Sequence, residues 1–124
     1  MITPWRVVTL ALLAVALGAC VPSSGSGCAG LPDQIAITVT ADAMEPAAPA
    51  VCRDREVTLM VTPEVDGVLH IHGYDEQVPA TSITAGEEIE LTVTSARSGQ
   101  FPIELHTDEA PQGVDIGIFT VHEP

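Results

Sequence analysis

Val57-Thr58-Leu59-Met60-Val61-Thr62 places Val, Leu and Val on one side of an alternating run and Thr, Met and Thr on the other. Strand side chains alternate between two faces, so a period of two predicts a β-strand with one face buried. The pattern recurs on either side of this stretch. Ile35, Ile37 and Val39 alternate with Ala36, Thr38 and Thr40, and Ile89, Leu91 and Val93 with Glu90, Thr92 and Thr94. Phe101, Ile103 and Leu105 alternate with Pro102, Glu104 and His106, and residues 116–121 supply a last strand. Turn-forming residues at 63–67, 85–87, 95–100 and 107–115 separate these runs, while 41–50 reads as loop. Short strands at this spacing predict an all-β sandwich or barrel, and residues 34–124 suffice for one domain. Pro102 lacks a ladder donor, so its strand is expected at an edge or locally irregular. Beyond the N-terminal segment only Tyr74, Phe101 and Phe119 are aromatic, which leaves the core to Val, Ile and Leu.

The N-terminal residues carry a targeting signal. One positive charge, Arg6, precedes the apolar run Val7 to Leu17, which is too short for the roughly 20 residues a bilayer span needs. Leu17-Gly18-Ala19-Cys20 follows directly and resembles the lipobox of bacterial lipoproteins. Such a box implies cleavage after residue 19 and lipidation of Cys20, with palmitate among the acyl chains. The expected organisation is a signal peptide (1–19), a lipidated cysteine and flexible tether (20–33), and a folded domain (34–124). The expected location is the extracytoplasmic side of the cell membrane, held by lipid.

After such cleavage three arginines stand against 17 acids, a net charge of −14, and there is no lysine. That balance argues against nucleic acid as a partner and against adsorption to anionic lipid, so anchoring would rest on the acyl chains. With Cys20 lipidated, Cys28 and Cys52 remain as an even pair. A bridge would close a loop of about 25 residues and contribute on the order of 3 kcal/mol in the chain-entropy model; two free thiols are the alternative.

Candidate chemistry lies with the histidines. His70-Ile71-His72-Gly73-Tyr74-Asp75 and Pro102-Ile103-Glu104-Leu105-His106 hold three of the four. Imidazole is the commonest ligand for copper and zinc in proteins. No P-loop, dinucleotide fingerprint, nucleophile elbow or calcium loop is present, so binding rather than catalysis is expected. Tyr74 and Asp75 beside His72 are read as anchoring a turn.

From Ile35 onward the order of pieces resembles a cupredoxin domain, over about three quarters of the chain. A first strand leads to Glu56–Thr62, a turn and a histidine-bearing strand; Thr84–Thr94 and the Gly99-Gln100-Phe101 turn follow, then a last strand containing Gly117. It is similar in particular to secreted actinobacterial cupredoxin-like domains with a His-x-His-Gly-Tyr-Asp segment. The resemblance implies a Greek-key β-sandwich and a first copper ligand at His70, less well at His72. It also implies a thiolate at the end of the penultimate strand, where this chain has Leu105 and His106. The following loop, 107–114, contains no Cys, His or Met. A type 1 blue centre and a dinuclear thiolate centre both need that sulfur, so neither can form.

Cupredoxin connectivity places His70 and His106 toward one pole, with His72 one pleat below and His122 at the other pole, solvated. Glu64, Asp66, Glu87, Glu88, Asp108, Glu109 and Asp115 map to the same pole as oxygen ligands or acceptors for imidazole. The expectation is a thiolate-free site of His70, His72 and His106 for copper, with zinc second. The alternative is a metal-free scaffold that docks onto another envelope protein. His70 and His72 would then be half-buried and hydrogen-bonded, with Leu69 and Ile71 packing the core from the other face.

Overall fold

The computed structural model describes residues 27–124. The expected signal peptide (1–19) and Cys20 therefore lie outside the described residues. Nine strands form β1 (Gln34–Val39), β2 (Met44–Glu45), β3 (Ala50–Cys52), β4 (Glu56–Pro63), β5 (Gly67–Ile71), β6 (Thr81–Ile83), β7 (Ile89–Thr94), β8 (Gly99–His106) and β9 (Val114–His122). One sheet has the order β2-β1-β4-β7 and the other β3-β9-β8-β5-β6. Neighbours β1 and β4, and β3 and β9, run parallel; every other pair is antiparallel.

The alternating runs explain the packing. Val57, Leu59 and Val61 of β4 are almost fully buried, as are Ile71, Ile103, Leu105 and Phe119 from the facing sheet. Their intervening neighbours face outward, so each sheet contributes one apolar face to a shared core. Tyr74 is the exception among polar-tipped residues in that core. It is buried, and its hydroxyl donates to the Arg97 carbonyl at 2.9 Å, which pins the turn after β5 to the loop before β8.

Two readings of the sequence require correction. Residues 41–50 are not all loop. Met44 and Glu45 pair with β1, and Ala50 begins a strand parallel to β9. Between them, the carbonyls of Ala47 and Pro49 accept from the amides of Ile118 and Thr120, both at 2.9 Å. The segment thus crosses from one sheet to the other, too briefly in each for a period of two to show. Pro102, in turn, is not on an edge strand, because β8 lies between β9 and β5, but its strand is locally irregular, the other outcome expected, with a register shift between Ile103 and Glu104. Its carbonyl accepts from the His72 amide at 2.9 Å, so its missing donor points toward the β5 side. The ring removes the reciprocal donor of that pair, and the β5 ladder ends at the Ile71–Ile103 pair.

Cys28 and Cys52 form a disulfide, with Cα atoms 5.1 Å apart. Residue 28, placed in the tether by sequence, is therefore stapled to β3.

Candidate metal centre

In the β5–β8 ladder, Val68 faces His106, Leu69 faces Leu105, His70 faces Glu104 and Ile71 faces Ile103. The odd-numbered members fill the core. The even-numbered ones must therefore project from the outer face of the five-stranded sheet. Glu104 lies directly across from His70, while His106 and His72 take positions two residues along their strands on the same face. Cross-strand diagonals of this kind are within reach of long side chains. Three imidazoles thus surround one carboxylate.

Their ring nitrogens converge. His70 Nε2 lies 3.3 Å from His106 Nε2. Glu104 Oε1 lies 2.5 Å from His106 Nε2 and 3.5 Å from His70 Nε2, and Oε2 lies 2.8 Å from His72 Nε2. The second ring nitrogens are held from behind. His106 Nδ1 is 3.0 Å from the Pro111 carbonyl, which can only accept, so Nδ1 carries the hydrogen and Nε2 is left to serve as ligand. His70 Nδ1 is 3.4 Å from Asp75 Oδ1, and Asp75 is itself fixed by the Gly73 amide at 3.0 Å.

These spacings suit a cation. Nitrogen or oxygen ligands about 2.0–2.1 Å from a tetrahedral ion stand about 3.3 Å apart. The 3.3 Å and 3.5 Å edges of the His70–His106–Glu104 triangle match that separation. Only the 2.5 Å edge, between Glu104 Oε1 and His106 Nε2, is shorter. The loop after β8 closes over this triangle through Gly113, whose φ is +85°. A Cβ there would overlap Glu104 Oε1 and press on His106 Cε1, so only glycine allows the approach.

The charges are coupled. The hydrogen bond from His72 holds the Glu104 carboxyl below its ordinary value, helped by His70 and by the positive charge of His106 and His72, against the opposing cost of desolvation. In return the Glu104 hydrogen bond raises His72, with the charges of Glu104, Asp75 and Asp115 adding to it and desolvation opposing it. Asp75 is lowered first by the Gly73 amide and then by His70.

A β-bulge brings in one more carboxylate. Ile103 faces Gly117, yet Glu104 faces Asp115, so β9 spends an extra residue at this point. Without the bulge, Ile116 would stand opposite Glu104. With it, Ile116 stays buried and Asp115 emerges beside Glu104. Three overlapping ligand sets result, each with its ligand atoms within 4.8 Å of one another: His70/Glu104/His106, His70/His72/Asp75 and His72/Glu104/Asp115.

The structure therefore brings all three sequence-predicted histidines into one cluster but divides them. His70 and His106 share one ligand set, and His72 belongs to the other two. The meeting place is the outer sheet face beside the loop after β8, because the inward positions on both strands are filled by Leu and Ile. Of the seven acids mapped to the tip, only Asp115 joins a ligand set among the described residues. Asp66 instead accepts from the Ala85 amide at 2.8 Å, and Glu88 lies 3.3 Å from the Thr62 hydroxyl. Glu104, at the centre, was not singled out by the sequence. Its shared face with His106 was legible, but its register against His70 was not. His122 lies at the far end, close to Gly27.

No family model and no curated protein matches the sequence. Solved structures do match. The chain is similar to a copper-binding protein solved by NMR in its apo form, at 14% identity and TM-score 0.56, over 72% of this chain and 86% of that one. It is similar to dithionite-reduced auracyanin from Roseiflexus castenholzii, at 15% identity and TM-score 0.55, over 74% and 98%. A third match is the blue copper oxidase from Nitrosomonas europaea, at 13% identity and TM-score 0.57; it covers 73% of this chain but 38% of the oxidase. The fold is a cupredoxin-like Greek-key β-sandwich.

A cupredoxin-like fold raises the question of a thiolate copper centre, and the described residues do not fit one. Leu105, at the position the resemblance assigns to the thiolate, is fully buried in the core, and the loop after β8 supplies no sulfur. Cys28 and Cys52 are joined to each other. Among the described residues no free thiol remains, and the clustered candidate ligands are nitrogen and oxygen.

Proposed function

We propose that this protein is a lipid-anchored, extracytoplasmic cupredoxin-like protein that captures copper through a thiolate-free site built on His70, His106 and Glu104. One observation carries the reading: two imidazole Nε2 atoms face each other at 3.3 Å over a shared carboxylate. Both rings are also held through Nδ1 by acceptors behind them. His72 holds the other oxygen of Glu104 and so orients the carboxylate. Imidazole and carboxylate suit Cu(II), which binds such donors more tightly than Zn(II) does; zinc is the second choice. Lipid at Cys20 would tether the domain to the outer side of the membrane. The role is binding, with no catalytic step assigned. Copper-binding relatives by fold agree with this choice of metal, since a copper-binding protein and an auracyanin share the architecture.

A metal-free adaptor for another envelope protein is the second reading, and one observation favours it. The cluster is already satisfied by its own hydrogen bonds, and no buried side-chain nitrogen or oxygen among the described residues lacks a partner.

Titration of the purified protein with Cu(II) separates the two. Copper capture predicts at least one tightly held equivalent that is lost in the His70→Ala/His106→Ala double variant. Equal binding by that variant rejects the site. An intense blue absorption band would contradict the absence of a thiolate ligand.

A further inference from the structure

Glu104 presents its two oxygens to different partners. Oε1 faces His106 and His70, at 2.5 and 3.5 Å, while Oε2 faces His72 at 2.8 Å. The second side of the carboxylate has its own ligand set, His72, Glu104 and Asp115, with all three ligand atoms within 4.8 Å. His72 is absent from the His70/Glu104/His106 set, and His106 is absent from the His72 set. A single ion can use one set or the other, and neither set uses up the donors of both.

We propose that the cluster is a dinuclear site, in which Glu104 bridges two divalent cations. The first ion takes His70, His106 and Glu104 Oε1; the second takes His72, Asp115 and Glu104 Oε2. This inference rests on the copper-capture reading above and adds a second ion to it.

Three features support it. Carboxylate-bridged pairs stand about 3.5–4 Å apart, a distance that the two oxygens of one carboxylate can span. The β9 bulge has the specific effect of moving Asp115 onto the outer face at the Glu104 level. The His70/Glu104/His106 set by itself has no use for that placement. Charge is largely offset: the ligands Glu104 and Asp115, with Asp75 beside His70, bring three negative charges against the four positive charges of two ions, and the remaining donors are imidazoles. His72 is the most open of the three histidines, at 43% exposed against 33% for His106 and 16% for His70, so the second ion has direct access from solvent.

The test is metal stoichiometry on the full chain in detergent, with Cu(II) alone as the probe. The expected result is two copper ions per chain at saturation, with a half-field electron paramagnetic resonance transition from the coupled pair. His72→Gln/Asp115→Asn should lower the stoichiometry from two to one and abolish that transition while the first copper stays bound. Retained thermal unfolding of this variant shows that the fold is intact, as expected for changes confined to the outer face. One copper at saturation, lost in His70→Ala/His106→Ala, overturns the second ion and leaves copper capture standing. A second copper that survives His72→Gln/Asp115→Asn, or two coppers without magnetic coupling, also overturns it. No bound copper at all rejects the underlying reading.

Discussion

At the scale of single residues, the His72–Glu104 pair sets how the metal-free protein responds to pH. His72 is raised above its ordinary 6.5, so its contribution to stability is complete below about that pH and is lost as pH rises through the raised folded value. Glu104 is lowered below its ordinary 4.5, so its contribution is complete above that pH and is lost as pH falls through the lowered folded value. Both contributions are present together between pH 4.5 and 6.5. The stability difference between the native chain and its His72→Gln variant, measured by denaturant unfolding without metal, should therefore be widest in that window and shrink at higher pH. NMR titration should place His72 above 6.5 in the native chain and move it back toward that value in Glu104→Gln. A difference that grows above pH 8 would show that the pair does not behave in this way. The same proton competes with the cation, so copper should bind less tightly as the solution becomes acidic. Glu104 also shows where sequence reading stops. Its alternation with His106 was visible, whereas its partnership with His70 depends on strand register, which no local pattern encodes.

At the scale of elements, alternation identified the longer strands because each carries at least three inward apolar residues. It missed β2 and β3, which have two and three residues, and it missed the bulge in β9. A trace of that bulge lies in Ile116-Gly117-Ile118-Phe119, where two adjacent apolar residues break the alternation and Ile116 and Phe119 turn inward while Ile118 turns out. Gly117 has a packing reason: a Cβ there would overlap the Met44 sulfur of the segment crossing between the sheets. Gly117→Ala should thus overpack that crossing and cost about 1–3 kcal/mol, read as a lower denaturation midpoint. Because Asp115 is two residues away on the same strand, the variant should also weaken the second copper more than the first, whose histidines come from β5 and β8. Unchanged stability would mean that Met44 moves aside without cost.

For the whole molecule, the disulfide and the histidine cluster occupy different ends of the same sheet. Cys52 pairs with His122 and Gly99 with Val121, so the disulfide lies where β8 begins. Glu104 is five residues further along β8, and at about 3.3 Å per residue it stands roughly 15–20 Å away. Under the proposed anchoring at Cys20, the chain enters the domain at the disulfide end and the copper ligands sit away from it. This separation makes the staple and the site independent. The bridge links residues 24 apart, so the Cys28→Ser/Cys52→Ser variant should lose about 3 kcal/mol. For a domain of this size that corresponds to a melting temperature lower by about 10–20 °C. Copper affinity of the folded variant, measured well below that temperature, should stay within about twofold of the native value, since sites more than 7–10 Å apart without shared partners act additively. A large loss of affinity would instead show that the sheet transmits disorder from its stapled end to the outer-face cluster. The histidine positions would then depend on the whole sheet and not on the β5–β8 ladder alone.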